Sequence, residues 1–401
     1  MEVMISDRLA MLPPYLFADL RRKIAAKRAQ GIRVITLGIG DPDMPTPDPI
    51  VQEMIRAIND SQDANRHRYG CDVPVAAFPE ACRNFYKHRW GVELGPDQVI
   101  TTMGSKDAIA KFPMAVMNPG DIGIAPVPGY PTYNIGHVFA GGSTYYVPLR
   151  AERKFLLDFS EIPTDIAKKA KLLWINYPNN PTTATAPLSF FEEAVAFGRQ
   201  YDILICHDSA YSENTYDGYS APSILQVKDA ADVAVEFFSL SKAFCMTGWR
   251  AGCVSGNASA IKALSLTKDN VDNGTLRAVQ FAAAKALSLR DQLVPKINEV
   301  YKRRRDMVLT LLNENGWHME KPVSTIYLWV PVPEKWRKND GQPGYSSSGK
   351  FAEELLEKYG VVITPGRGYG QTGEGFFRVS LTYPDDVIKE AVEKIIKLTK
   401  E

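Results

Sequence analysis

No part of this sequence is apolar for long enough to cross a bilayer, and its start lacks the basic segment and sustained apolar run of a secretory leader. Neither sign of charge dominates. With 47 basic residues against 46 acidic ones the net charge is +1, so no global field favours nucleic acid or an anionic membrane. Cysteine is scarce too: Cys71, Cys82, Cys206, Cys245 and Cys253 form no CxxC pair and no dense framework. That excludes a disulfide scaffold, offers zinc no ligand pattern, and leads us to expect free thiols in a reducing, cytoplasmic setting. Internal repeats and low-complexity tracts are absent as well. What remains is an ordinary globular composition, 45% hydrophobic and 23% charged over 401 residues, long enough for two or more domains.

Against that background the chemistry gathers in one stretch, from Phe238 to Arg250. A mostly apolar run from Val233 to Phe238 reads as a buried strand, and it delivers Ser239, Ser241, Lys242, Gly248 and Arg250 within one short loop. A lysine whose pKa is lowered by burial or by a nearby cation forms a Schiff base with a carbonyl. Arg250 can grip a phosphate bidentately while the Ser239 and Ser241 hydroxyls donate to its other oxygens. An aldehyde on the lysine and a phosphate under the arginine describe pyridoxal phosphate. Taken alone, the window is equally compatible with a surface loop carrying a solvated Lys and Arg.

Strands followed by helices recur through the middle of the chain, over 99–102, 121–126, 172–176, 203–206 and 233–238. This alternation predicts a largely parallel sheet covered by helices, with ligands at the carboxyl ends of the strands. Upstream, a charged helix over 19–30, a strand over 34–37 running into Gly38-Ile39-Gly40-Asp41, and helices over 50–59 and 78–90 are expected. From about residue 281 the pattern changes to a long helix over 291–315, strands over 327–330 and 361–364, and a late strand containing Arg378, which reads as a smaller α+β domain. The Gly-, Ser- and Lys-rich stretch 334–350 reads as an exposed loop.

Each loop after a strand offers one candidate and one plainer alternative. Ser105 opens a helix whose amides suit a phosphate, or simply caps it. Asn180 can donate to a phenolate oxygen, or belongs to a generic Asn-Pro turn. Asp208 follows a buried strand, where it would keep a pyridine nitrogen protonated or serve as a helix N-cap. Tyr211 can reach the same phenolate or pack, and Tyr130 can stack on a cofactor ring or pack. Arg378, between apolar neighbours, needs an anion: a substrate α-carboxylate or an internal Asp or Glu.

As a set, in this order and over nearly the whole chain, these residues resemble the fold-type-I pyridoxal-phosphate aminotransferases of class I/II. The resemblance implies an α/β fold, with a large domain built on a mostly parallel seven-stranded sheet and a smaller α+β domain. It implies a division into an N-terminal arm with part of the small domain (1–45), a large cofactor-binding domain (46–285) and a C-terminal small domain (286–401). It further implies a homodimer with shared active sites, a small amino acid and a 2-oxo acid as substrates, and no nucleic-acid, membrane or metal partner. By the same resemblance Lys242 is the Schiff-base lysine and proton shuttle, Asp208 pairs the pyridine nitrogen, and Asn180 and Tyr211 bind the ring oxygen. Ser105, Ser239 and Arg250 hold the phosphate, with Lys106 and Ser241 among the cofactor contacts; Tyr130 stacks, Arg378 binds the α-carboxylate, and Tyr69 reaches the neighbouring subunit's phosphate.

Within that family the chain most resembles the LL-diaminopimelate aminotransferases, through Pro14-Tyr15-Leu16-Phe17, Leu37-Gly38-Ile39-Gly40-Asp41, and the glycine-rich stretches at 365–370 and 373–380. This likeness implies transfer of an amino group from LL-diaminopimelate to 2-oxoglutarate in lysine biosynthesis, with Tyr15, Gly40, Asp72, Asn180 and Arg378 at the substrate. Another donor (aspartate, alanine or aromatic) and a fold-type-I β-lyase are the alternatives. Three departures stand out. Asp72 replaces a substrate-recognising glutamate, and Thr183 stands where the family usually has glycine. Arg277 stands where relatives carry an amide; it would bind a distal carboxylate if it faces the pocket and mean little if it faces solvent.

Overall fold

Strands that read as near-continuous apolar runs are buried on both faces, because helices cover both sides of the sheet and leave no wet side to alternate with. The structure, a computed structural model, describes residues 3–12, 16–70, 75–342 and 344–401, with the backbone alone for 16–21. Its large sheet has seven strands: β1 (Val99–Thr102), β2 (Ile122–Val127), β3 (Ser143–Pro148), β4 (Ala170–Asn176), β5 (Leu204–Asp208), β6 (Ala234–Ser239) and β7 (Gly252–Gly256). They lie in the order β1-β7-β6-β5-β4-β2-β3, and only β7 runs antiparallel to its neighbours. Alternation along each strand sorts the core into two layers. On β6, Phe237 meets Phe112 of helix Ser105–Val116 at 5.3 Å between ring centroids, whereas Phe238 turns to the other face and meets Phe85 of helix Ala77–Trp90 at 4.8 Å.

After the long helix Arg290–Asn313 comes a second, antiparallel sheet of β8 (Tyr327–Pro331), β9 (Thr364–Pro365) and β10 (Phe376–Ser380), in the order β9-β10-β8. Helices Ser347–Tyr359 and Asp385–Lys400 pack with it around a separate core containing Leu328, Phe351, Phe377 and Ile388. Ile35–Thr36 pairs in parallel with Val361–Val362, which brings the N-terminal segment alongside this part of the molecule.

Several expectations are corrected. The strand over 34–37 shortens to two residues, and the one over 361–364 breaks at Ile363 into pieces that join different sheets. The stretch 334–350 is not simply an exposed loop. It holds a short helix, Glu334–Arg337, anchored by the buried Trp336 against Phe351 at 4.9 Å, and the next helix starts within it, capped where the Ser346 hydroxyl accepts the Gly349 N–H at 3.0 Å. Composition hid these because one tryptophan carries the burial of an otherwise polar segment. β3 and β7 were not expected: β3 is an edge strand with a partly wet face, and β7 is short and glycine-bounded. Cys82, Cys206, Cys245 and Cys253 are buried and free. Among the described residues no helix is long and apolar enough to cross a membrane.

Thr183 occupies a backbone position that suits glycine. Its φ is +64°, in the left-handed region where a β-branched side chain crowds the backbone. Thr183→Gly is expected to raise the unfolding free energy by about 1 kcal/mol, read from urea or thermal unfolding; an unchanged or lowered stability would show that the threonine side chain compensates its own strain.

Candidate active site

Parallel strands end together, so their last residues share one edge. Asn176 pairs in register with Asp208 across β4 and β5, and Asp208 with Phe237 across β5 and β6. At this edge lies a cavity of about 300 Å³. Lys242, Asp208, Asn180 and Tyr211 line it, as do Ser105, Lys106, Ser239, Ser241 and Arg250. Arg378 reaches it from β10 of the smaller sheet, Gly40 from the segment beside that sheet, and Tyr130 from the loop after β2. Tyr69 is not among the lining residues of this chain; it is 64% exposed. Tyr15 and Asp72 lie outside the described residues.

One end of the cavity is built for an anion. The alternative that Ser105 caps its helix is overturned: Gly104 is the N-cap, with φ +79° and no side-chain cap, and Ser105 is the first helical residue. The first-turn amides therefore have no intrahelical acceptor, and the positive end of the helix dipole lies with them. A Cβ on Gly104 would sit 2.8 Å from Arg250 Nη2, so the missing side chain is what lets the guanidinium lie at the helix end. Arg250 Nη1 donates to the Thr247 carbonyl at 2.8 Å and lies 3.5 Å from Ser241 Oγ. Ser239 caps the short helix Leu240–Ala243, accepting the Ser241 N–H at 3.2 Å.

Asp208 is the last residue of β5 and opens a turn, not a helix, so the N-cap reading is overturned as well. It is buried. The Tyr133 hydroxyl donates to Oδ2 at 2.8 Å and the Ala210 N–H to Oδ1 at 3.3 Å. Tyr133 is itself stacked on Trp174, with ring centroids 5.0 Å apart and planes 11° apart. Burial pushes the Asp208 carboxyl up to about 6, although the Tyr133 hydroxyl, His207 and the Ala210 amide all pull it down. A carboxylate so poised is stabilised by any protonated base that enters the cavity.

The Lys242 amine donates to the Gly40 carbonyl, and burial lowers its pKa; the Arg378 and Arg250 charges act in the same direction, against Tyr327 and Asp41. A Cβ on Gly40 would fall 1.8 Å from the Tyr327 hydroxyl, so that close approach requires glycine. Tyr327 shares a 3.0 Å hydrogen bond with the Tyr211 hydroxyl; burial pushes its own phenol up, but the Arg378 and Lys242 charges together with that hydrogen bond bring the net shift downward. Arg378 is 2% exposed, lies over the Tyr327 ring at 3.9 Å, and donates to Asn180 Oδ1 at 2.7 Å and to the Gly38 carbonyl at 2.9 Å. Its Nε has no hydrogen-bond partner, and no carboxylate among the described residues forms an ion pair with it. The internal Asp or Glu that would have satisfied Arg378 is thus absent among them, which leaves room for an outside anion.

Sequence reasoning missed Tyr327, Tyr369, Asp41 and Thr247, which also line the cavity, and Tyr133, which holds Asp208. Tyr133 stands three residues after the candidate Tyr130 and Tyr327 on an expected strand, yet nothing in the residue pattern marks which tyrosine turns inward. Arg277 faces neither the cavity nor solvent: it is buried at the start of helix Arg277–Ser288, and its Nη2 lies 2.9 Å from Asp63 Oδ2.

An amine of lowered pKa, a buried carboxylate and a cationic helix end with hydroxyls fit the aldehyde, ring nitrogen and phosphate of pyridoxal phosphate. Fold and cavity together define an α/β transferase, and the chain belongs to the aminotransferase class I and II family, which it matches over residues 32–395. It is accordingly a pyridoxal-phosphate-dependent enzyme that transfers amino groups. It is 47% identical over 389 residues to the LL-diaminopimelate aminotransferase of Moorella thermoacetica, covering 97% of this chain and 96% of that one. To the Aquifex aeolicus enzyme of the same name it is 47% identical over 394 residues, covering 98% of each. Among solved structures it resembles substrate-bound BacF of Bacillus subtilis (TM-score 0.91, 35% identity, 99% and 98% coverage) and the aspartate aminotransferase of Thermotoga maritima (0.87, 27%, 99% and 100%).

Because the folded-state pKa of Asp208 is raised, the cofactor-free protein holds a proton that the unfolded chain releases, and its stability falls as pH rises from about 4 to about 6. Asp208→Asn removes this cost: the cofactor-free variant is expected to be more stable than wild type by about 2–3 kcal/mol above pH 6, with no gain near pH 4. Urea unfolding across that range measures it, and a pH-independent difference would contradict the burial argument.

Proposed function

We propose that the chain transfers an amino group between LL-diaminopimelate and 2-oxoglutarate, in lysine biosynthesis. The observation that carries the substrate assignment is 47% identity, over 97–98% of the chain, to enzymes bearing that name. We take the working form to be a cytoplasmic homodimer, with residues 1–45 as arm and part of the small domain, 46–285 as large domain and 286–401 as C-terminal small domain. Exposure of both Arg250 and Tyr69 in the single chain supports a partner that covers the phosphate end with its own Tyr69.

In this reading Ser105, Ser239, Ser241 and Arg250, with the amide of Lys106, hold the cofactor phosphate; Asn180 and Tyr211 donate to its phenolate oxygen, and Tyr130 lies on its ring. Bound there, pyridoxal phosphate supplies an electron-accepting ring that stabilises negative charge at the substrate's Cα. Asp208 holds the proton on the ring nitrogen, at the ionic end of a contact that repays its burial. Lys242, whose pKa burial lowers, takes the proton from the substrate's Cα and would deliver it to the carbon that carries the cofactor's aldehyde, across the amino nitrogen. Arg378 binds the α-carboxylate through the edge left open by its unpartnered Nε, which orients the Cα–H toward Lys242. Tyr15, Gly40 and Asp72 are proposed to contact the remainder of the substrate.

Lys242→Ala is expected to fold and yet to lose all measurable turnover; retained transamination would remove Lys242 from its role. Arg378→Ala is expected to lower kcat/KM about 100-fold for donor and acceptor alike while cofactor absorbance persists. A loss for one substrate only would mean that the arginine does not meet the shared α-carboxylate. The donor itself is tested by a panel of amino acids with 2-oxoglutarate: glutamate should form fastest with LL-diaminopimelate. Faster turnover of aspartate, alanine or aromatic donors, or release of pyruvate and ammonia, would overturn the assignment.

A further inference from the structure

Behind Asp208 lies a buried polar cluster that the proposed reaction does not use. Strand alternation sends Asp208 to one face of the sheet and its neighbour His207 to the other, where His207 stands in register with Glu236 of β6, both fully buried. His207 Nδ1 is 2.9 Å from Glu236 Oε2, and Nε2 is 2.8 Å from the Tyr177 carbonyl oxygen. A carbonyl oxygen only accepts, so Nε2 carries a hydrogen. Glu236 already receives the Tyr86 hydroxyl at 2.9 Å, the Ser223 hydroxyl at 2.7 Å and the Ile224 N–H at 3.2 Å. Three donors therefore already converge on the carboxyl group that His207 Nδ1 reaches, which fixes that group and with it the ring. The Phe191 ring lies 4.7 Å away, in surroundings that an apolar side chain would fill at lower cost.

What the cluster holds is the turn that carries Asn180. Tyr177 opens that turn, and its hydroxyl is fixed as well, accepting the Leu157 N–H and donating to the Phe155 carbonyl, each at 2.9 Å. On the other flank Asn176 ties the same turn to β5: its Nδ2 donates to the Asp208 carbonyl at 2.7 Å and its Oδ1 accepts the Asn180 N–H at 2.9 Å. Asp208 and Asn180 are thus fastened to each other twice, through Asn176 and through His207. We infer that His207 is a positioning residue for the cofactor pocket, its Nε2–H pinning the Tyr177 carbonyl and so setting where Asn180 presents its amide relative to Asp208. The inference rests on the proposed place of Asn180 at the cofactor ring.

A double-mutant cycle tests it in the cofactor-free protein, with pyridoxine phosphate as the probe, because that ligand has no aldehyde to bond to Lys242. Fluorescence titration should show His207→Phe weakening binding about tenfold in the wild-type background and less than about twofold in an Asn180→Ala background. Equal losses in the two backgrounds, or no loss in the first, overturn the inference while leaving Asn180 at the ring. If Asn180→Ala alone leaves binding unchanged, the placement of Asn180 fails and takes this inference with it. Should His207→Phe not fold, Glu236→Gln, which keeps the ring but alters the group its Nδ1 meets, enters the same cycle with the same expectation. Nitrogen-15 spectra of the cofactor-free wild type should show a hydrogen on His207 Nε2; an Nε2 that carries none overturns the inference.

Discussion

Lys242 is held where burial and two neighbouring guanidinium groups all disfavour its charge, and where a backbone carbonyl, that of Gly40, still gives its amine something to bind. An exposed lysine at its ordinary pKa would be protonated and inert as a nucleophile or base. Removing it from water lowers that barrier but leaves the amine dependent on the groups around it. The rest of the site is arranged by that dependence: Arg378 and Arg250 bring the anion-binding capacity that substrate and cofactor require, and the same charges depress the lysine.

The segment Gly38-Ile39-Gly40 joins this cavity to the smaller sheet. Its three successive carbonyls accept from side chains on different elements: Gly38 from Arg378 and Thr364, Ile39 from Thr382, and Gly40 from Lys242. Beyond it, Asp43 takes a two-pronged contact from Arg304 of the long helix at 2.7 and 2.8 Å. Position in the cavity is therefore set by backbone held from several directions, which suits a site that must keep its geometry within a fraction of an ångström. The aromatic wall behind Asp208 does similar work, since the ring of Tyr133, which donates to the carboxylate, is stacked on Trp174.

Much of this was readable from particular residues. The run from Val233 to Phe238 ending in two serines and a lysine announced a strand delivering polar groups to one edge, and the order of Asn180, Asp208, Tyr211, Lys242, Arg250 and Arg378 along the chain carried the family resemblance. Other features were not legible because they depend on contact between distant segments or on a single backbone angle. Whether Ser105 caps its helix was decided by the φ angle of Gly104, and Asp208 caps none because β5 ends in a turn. The partner of Arg277, Asp63, stands 214 positions away. Trp336 gave no hint, among charged neighbours such as Glu334, Lys335, Arg337 and Lys338, that it anchors a helix.

The sequence by itself determined the alternation of strand and helix, the burial of the sheet and the identity of the groups that end each strand, because hydrophobic periodicity and turn residues act locally along the chain. Only the tertiary structure decided which tyrosines face Lys242, that Arg378 finds no carboxylate among the described residues, and that His207 and Glu236 meet behind Asp208. Those outcomes arise from strand order, register and close approach of backbone, which pair residues far apart in sequence and are specified by the packing of the whole chain and by no single stretch of it.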